Sequence, residues 1–433
     1  MAKIFLYDKY SPEDIAMMQA LYSRSAESAE VHAGKVEESG SGKFMERFYV
    51  GYGHSSIADC GSTTLFIEGV SLLVAKAIQD WPLYAGQETS TRYINMSKQA
   101  IFDPLKTKAS QAILKQWMDF YISSGPELEA FLKKKYPLKE GENEAVYEKA
   151  IKARSFDILR GFLPAGITTQ LSWHTNLRQA WDKLSLLRHH PLQEVRGVAK
   201  QTLGKLQEKY AHSFSHPLYS DQEKYRSDVL SKYTYFHPKK FPRRFTGKSS
   251  IEKKSLREHE EILKSRPIKT NLPFFLRSLG TITFDFFLDF GSFRDLQRHR
   301  SSISQMPLLT TESGFHPWYL GQLSANLRKR AEKLIAKQSA AIEKLRCSDE
   351  DRQYFIAMGF RIPCRYTFDI PALVYFIELR SGTSVHATLR EIAHTMHRYL
   401  EKEHPEITLH TDLSLDGWDI RRGLQDIVKK AHK

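Results

Sequence analysis

The chain has 433 residues, of which 41% are hydrophobic, 12% aromatic and 26% charged. That composition excludes global disorder, and the length implies one very large domain or two to three ordinary ones. The formal charge of +14 favours an anionic partner, whether nucleotide phosphate, nucleic acid or an acidic surface, although a soluble Lys-rich surface gives the same total.

Cys60, Cys347 and Cys364 show no C-x-x-C spacing, so neither a disulfide framework nor a zinc ribbon is expected, and a reducing cytoplasm fits. "MAKIFLYDKYSPED" lacks the long apolar run of a signal peptide. "TTLFIEGVSLLVAKAIQDW" is broken by Glu68 and Lys76, which argues against a membrane span.

In chain order, "SPEDIAMMQALYSRSAES" opens like a helix, with Pro and acidic residues in its first turn. "EESGSGKFMERFYVGYGHSSIADCG" reads as helix, turn and loop. "STTLFIEGVSLL" reads as a strand running into a helix. "QAILKQWMDFYISSGPELEAFLKKKY" predicts a helix to about Ile122, a break at Ser-Ser-Gly-Pro and a second helix. "ENEAVYEKAIKARSFDILRGFLP" predicts a helix stopping near Pro164. "LRQAWDKLSLLRHHPLQEVRGVAKQTLGKLQEKYAH" is helical with a turn at His189–Pro191. The Pro/Lys/Arg-rich stretch within 221–270 has few periodic apolar residues and is expected to be a linker. "TITFDFFLDF" reads as a strand, and "VHATLREIAHTMHRYLEKEHPEI" as a helix stopped by Pro405.

The two halves share a layout. "FIEGVSLLVAKAIQDWPLYAG" and "FDFFLDFGSFRDLQRHRSSIS" align without a gap, pairing Phe66 with Phe284 and Gln79 with Gln297. The spacing is too long for a solenoid and fits duplication of a domain of about 200 residues. The expected organisation is a repeat over 1–220, a basic linker over 221–270 and a more diverged repeat over 271–433.

Several clusters carry possible chemistry. In "AGQETSTRYINMS", Glu88, Ser90 and Arg92 alternate; an arginine fork with adjacent hydroxyls suits a phosphate, and a polar loop with one ion pair is the plainer reading. His54 sits in a Gly/Ser turn. "SWHTNLRQAWDK" places His174, Asn176 and Arg178 at a helix start between Trp173 and Trp181, where an anion and a flat ring fit, as does an ordinary N-cap. Arg298, His299 and Arg300 stand side by side with no evident acid to answer them; adjacent arginines repel, so an anion or a solvated face is implied, and nucleic acid would use the same residues with the basic linker. His386, His394 and His397 lie on a helix without an H-E-x-x-H pattern and are expected to be solvated. No metal site is expected, and Cys364 is expected in the core.

Taken in order, these pieces resemble the flavin-dependent thymidylate synthase family, whose signature is R-H-R with a downstream Ser and Arg, an upstream Gly-His loop and an Asn-x-Arg before a helix. Gly53-His54, "QETSTRY", Arg160 and Asn176 to Arg178 match in the first half, while the R-H-R position reads Asp80-Trp81-Pro82. In the second half Arg298-His299-Arg300 is intact, Arg380 stands where the family contacts nucleotide, and the Glu, Ser and Arg positions read Met306, Leu308 and Thr310. Asp369 and Pro371 stand where Asn and Arg are expected.

The resemblance implies a helix-rich α+β fold of two such repeats, with helices around a small antiparallel sheet. It implies methylation of dUMP to dTMP with methylenetetrahydrofolate, FAD and NADPH, and no cysteine nucleophile. By resemblance, Glu88, Ser90, Arg92, Arg160 and Arg380 would bind the nucleotide. His54, Asn176, Arg178, Arg298, His299 and Arg300 would bind the flavin, the last three also acting on the pyrimidine. The family builds its sites between subunits of a homotetramer, so a duplicated chain is expected to form a homodimer that imitates it. The alternatives are a non-catalytic or altered-specificity paralogue binding a pyrimidine nucleotide or flavin, and, third, a basic nucleic-acid-binding protein.

Overall fold

A computed structural model describes residues 10–22, 29–92 and 94–415. The tail of the expected first helix, Tyr93 and residues 416–433 lie outside the described residues, as does the N-terminal segment read for a signal peptide up to its tenth residue. The fold is α+β and helix-rich, with small sheets. It divides into two compact units that interleave in sequence: Met1–Glu88 with Thr169–Thr234, and Thr89–Thr168 with Tyr235–Lys433.

In the first unit the helices Pro12–Tyr22 and Ala29–Ser39 bury Met17, Met18, Ala33 and Val36 against each other. Strand β1 (Ser62–Ser71) alternates in exposure along most of its length, as a strand with one covered face must, and pairs with β2 (Thr168–Asn176). Each runs straight into a helix, Leu72–Gln79 and Leu177–Leu187. Ser71 and Asn176 stop the strands by capping: their side chains accept from the amides of Val74 and Gln179.

In the second unit, β3 (Tyr235–Phe236) pairs in parallel with β7 (Met306–Pro307). A four-stranded antiparallel sheet runs β4 (Thr246–Ser249), β5 (Thr281–Asp289), β8 (Arg361–Asp369), β6 (Ile303–Ser304). Ile282, Phe284, Phe286 and Leu288 alternate into the core from β5. Strands β5 and β8 again enter helices directly, Phe290–Leu296 and Ile370–Ser381, capped by Asp289 and Asp369.

Two expectations need correction. The stretch expected as a linker supplies β4 and buries Leu256, Leu263 and Arg266, the last paired with Glu378. The break at Ser-Ser-Gly-Pro does not occur: one helix runs Lys108–Lys135 through Pro126. A proline inside a helix costs about 3 kcal/mol; burial of Trp117, Phe120 and Tyr121 before it and Leu128 and Leu132 after it offsets that cost.

The 3-10 turns Arg160–Phe162 and Gln353–Phe355, which precede β2 and β8, meet within the second unit. There the backbone bonds come in reciprocal pairs. Ala165 N donates to Ile356 O and Met358 N to Leu163 O, both at 2.9 Å; Gly166 N donates to Tyr354 O at 2.9 Å and Gly359 N to Gly161 O at 2.7 Å. Outside them, Phe102 N to Gly166 O is matched by His316 N to Gly359 O, both at 2.8 Å. Thr168 N to Ala100 O is likewise matched by Arg361 N to Gly314 O, both at 2.9 Å. Such reciprocity is the pattern of a local two-fold axis between Pro164 and Ala357. Gly166 and Gly359 occupy matching places because backbones cross there: an added Cβ would fall 2.7 Å from Phe102 O at Gly166, and 2.3 Å from the Phe315 ring at Gly359.

Among the described residues, no helix is long and apolar enough to cross a membrane.

Candidate functional site

The second unit gathers an arginine cluster around the helix Phe290–Leu296. Asp289 caps that helix, its Oδ2 accepting from Ser292 N (2.8 Å) and the Tyr319 hydroxyl (2.7 Å). The segment after Thr89 lies against it. Arg294 donates to the Thr91 hydroxyl (2.8 Å) and to Thr89 O (3.3 Å). Arg92 forks onto Asp157 through Nε (2.6 Å) and Nη2 (3.3 Å), and Nη2 also reaches Ser384 O (3.3 Å). Arg160 is fully buried, and its Nη2 donates to the Ser292 hydroxyl at 3.0 Å, leaving a buried Nε with no hydrogen-bond partner. Ser90, Arg92, Arg160, Arg294, Asp295 and Arg298 all line one small recess.

The cluster does have an acid of its own. Burial would raise the Asp295 carboxyl, but Arg92, Arg160, Arg298 and Arg380 surround it and hold it down at about 2. The expectation that nothing acidic answers Arg298 is therefore corrected: Asp295, three residues upstream, faces it at 3.6 Å. That pair was legible in sequence; what sequence distance hid is that Arg92, Arg160 and Arg380 converge on Asp295 as well. Burial works against the charge on Arg160 too, and Tyr319, Asp157, Asp289 and Asp295 more than restore it, so its pKa lies above the usual value. Four arginines against a single aspartate line the recess itself. That surplus of positive charge suits a phosphate, whose oxygens take fork-shaped donors.

Arg298 also lines a second, open cavity of about 610 Å³ with His299, Arg300, Arg380, Arg277 and Tyr375. Arg380 Nε donates to His299 Nε2 at 2.8 Å, and Arg380 Nη2 to Asp295 O at 3.3 Å. An arginine donor requires His299 Nε2 to be the acceptor, so the imidazole is neutral with its proton on Nδ1. Burial, then Arg380, pushes its pKa down to about 3. The ring stands edge-on to Phe376 at 4.8 Å between centroids. Burial also lowers Arg380. The cavity is large enough for a mononucleotide, and it pairs cations with an aromatic face, Tyr375, half exposed at 51%.

The remaining sequence candidates belong to the first unit. Glu88 is buried against Lys76 at 2.9 Å and accepts from Gln79 Nε2 at 3.0 Å. Asn176 Nδ2 and Arg178 Nε both donate to Asp59 Oδ1, at 3.1 and 2.7 Å. His54 is exposed beside Phe48 and Tyr52, after Gly53 at φ +70°. The helix it precedes, Ser55–Ala58, packs on Leu177–Leu187. The structure thus brings together Ser90, Arg92, Arg160, Arg298, His299, Arg300 and Arg380, and commits Glu88, Asn176 and Arg178 to carboxylate pairs of their own.

Sequence reasoning missed Asp157, Ser292, Arg294 and Asp295. Arg294 and Asp295 were legible within "FRDLQRHR"; Asp157 carries no local signal. The expectation of solvated histidines is also corrected. His386, His394 and His397 are all buried. His386 lies 3.1 Å from the Ser292 hydroxyl and 3.3 Å from Asp157 O, and burial, then Arg160, lowers its pKa. Cys364 is buried in the core, as expected. Among the described residues, no group of three or more His, Cys, Asp or Glu side chains could hold a metal.

The family model described as "Thymidylate synthase complementing protein" matches residues 6–210. The chain is similar to UPF0159 proteins of Chlamydia pneumoniae (24% identical, covering 84% of this chain and 78% of the relative) and Chlamydia muridarum (26%, 84% and 79%). It is also similar to one of Thermoplasma acidophilum (23%, 84% and 87%). Among solved structures, a flavin-dependent thymidylate synthase of Helicobacter pylori, crystallised with FAD and dUMP, aligns at 18% identity over 48% of this chain and 95% of that one, with a TM-score of 0.29.

Proposed function

We propose that the chain is a diverged relative of the flavin-dependent thymidylate synthases that binds a pyrimidine mononucleotide. Its phosphate sits on Ser90, Arg92 and Arg298 over the buried Arg160, and its base lies toward His299 and Tyr375. One observation carries this: the surviving signature pieces of the two halves, Ser90, Arg92 and Arg160 with Arg298, line one cation-rich recess inside one unit. A phosphate entering there takes over Arg92 from Asp157. The match of 6–210 to the thymidylate synthase model supports the ligand class. The reciprocal bonds around Pro164 and Ala357 support a duplicated origin. Glu88 is left out of the nucleotide set because it neutralises Lys76.

Two of the residues tied by resemblance to FAD, Asn176 and Arg178, fit it poorly. Asp59 accepts from both Asn176 and Arg178, so a carboxylate already takes up donors that would have to turn to the flavin. Catalytic conversion of dUMP to dTMP with methylenetetrahydrofolate and NADPH is the second reading, supported by the same family match. A homodimer belongs to both readings. It is supported by Phe274 and Leu379, which stand exposed at the mouth of the open cavity beside Tyr375, an apolar rim that a second copy would cover.

Calorimetric titration of the full chain with dUMP and with deoxyuridine tests the reading. The nucleotide is expected to bind at least about 100-fold more tightly, the worth of charge-assisted phosphate bonds; equal affinity sinks it. A yellow purified protein, or turnover of dUMP with added FAD, would move the conclusion to the catalytic reading.

A further inference from the structure

A third cavity, of about 510 Å³, opens in the second unit and shares no lining residue with the two described above. Its walls bring Lys135, Arg154, Arg390 and Arg398 together against one carboxylate, Glu391, and add Trp318 and Tyr136. The Arg154 guanidinium lies over the Trp318 ring, 5.8 Å from its centroid, and donates to Gln322 Oε1 at 3.2 Å. Its Nε is buried without a hydrogen-bond partner, which natural interiors rarely tolerate. Among the described residues, Lys135, Arg154 and Arg398 make no ion pair. Lys135 and Arg398 stand at the solvent edge.

Lys135, Arg154 and Arg398, with Arg390 held by Leu415 O at 2.6 Å, surround an indole whose edge contacts go to Tyr319 and His386, and together they meet the two needs of a nucleotide. The ring face stacks on a base, and the cations take the phosphates. The volume falls within the usual range for small-molecule sites, about 300–1,000 Å³. A single indole in a concave pocket serves one base; a strand of nucleic acid uses a row of aromatics along a basic groove.

We propose that this cavity is a second ligand site that takes a nucleoside polyphosphate, with the base on Trp318 beside Arg154 and the phosphates between Lys135, Arg390 and Arg398. The site does not depend on the mononucleotide reading of the arginine recess, because no residue is common to both.

ATP is a suitable probe, titrated calorimetrically into the full chain and into Lys135→Glu, Arg398→Glu and Arg298→Ala variants, all at partly exposed positions. Expected is one ATP per chain at this site, weakened about tenfold or more by either charge reversal and unchanged by Arg298→Ala, with melting temperatures preserved. Quenching of intrinsic fluorescence by ATP is expected to shrink in Trp318→Phe. The proposal is overturned by ATP binding indifferent to Lys135→Glu and Arg398→Glu, by ATP binding lost with Arg298→Ala, or by inorganic tripolyphosphate binding as tightly as ATP. Displacement of ATP by a short single-stranded oligonucleotide, with a steep salt dependence, overturns it in favour of nucleic acid. If dUMP fails to bind the recess while ATP binds here, the mononucleotide reading fails and this one stands.

Discussion

The helices Leu72–Gln79 and Phe290–Leu296 each follow a strand directly, and each carries a cation at its fifth position, Lys76 in one and Arg294 in the other. In the first unit Lys76 is buried against Glu88 at 2.9 Å, and the charge is cancelled where it arises. In the second, Arg294 donates to the Thr91 hydroxyl and the Thr89 carbonyl, beside a recess where arginines outnumber the one aspartate. A buried cation thus stands in two settings. One is matched by a carboxylate where it lies; the other donates to neutral oxygens among further arginines.

The largest expected effect tests the first half of that contrast. Lys76→Ala or Glu88→Ala alone leaves a buried charge unpaired and is expected to cost about 3–5 kcal/mol, whereas Lys76→Met with Glu88→Leu is expected to be near neutral. Chemical denaturation reads the difference, and dUMP affinity is expected not to change in the double variant. Arg92→Ala strips the buried Asp157 of its fork and is expected to cost about 3 kcal/mol together with mononucleotide binding. Adding Asp157→Asn is expected to recover stability without recovering binding; recovery of both would make Arg92 purely structural. Next come the crossing glycines. Gly166→Ala and Gly359→Ala are each expected to lose about 1–3 kcal/mol by overpacking, read by chemical denaturation, the greater loss falling at Gly166, where backbone oxygens of Phe102 and Tyr354 stand in the way rather than the Phe315 ring.

Acid acts on both units in the same direction. His190 in the first unit and His299 in the second are each lowered to about 3, burial first, then neighbouring cations. The unfolded chain therefore binds protons that the folded chain refuses. Their stability contribution is complete above about pH 6.5 and declines as pH falls from there toward 3. Asp295, at about 2 when folded, adds a further loss between roughly pH 4 and 2. Melting temperature against pH checks this, and His299→Phe is expected to flatten the upper limb of the curve. The smallest effect is that of Asp295→Asn, which removes the recess's own anion and is expected to tighten dUMP binding a few-fold, read by the same titration.

Much of this architecture is legible in sequence because it is local. Alternating residues in "TITFDFFLDF" and capping residues such as Asn176 and Asp369 announce strands and helix starts directly. The placing of Ser90 and Arg92 in one half and of Arg298 to Arg300 in the other was readable from register alone. What stayed hidden depends on partners distant in the chain. Pro126 looks like a helix breaker until the apolar residues either side of it are known to be buried. His386 looks solvated among charged neighbours until Ser292 and Asp157 arrive beside it. Asn176 and Arg178 look like a free anion site until Asp59 occupies them.

The reciprocal bonds around Pro164 and Ala357 bear on biosynthesis. The amides of Ala165 and Gly166 find their acceptors only in Ile356 and Tyr354, so a ribosome must complete most of the polypeptide before they are satisfied. A fragment released early would carry this short strip of backbone uncovered. A chain stopped before Tyr354 is therefore expected to leave the amides of Ala165 and Gly166 without these acceptors, which faster hydrogen exchange at the two positions would read.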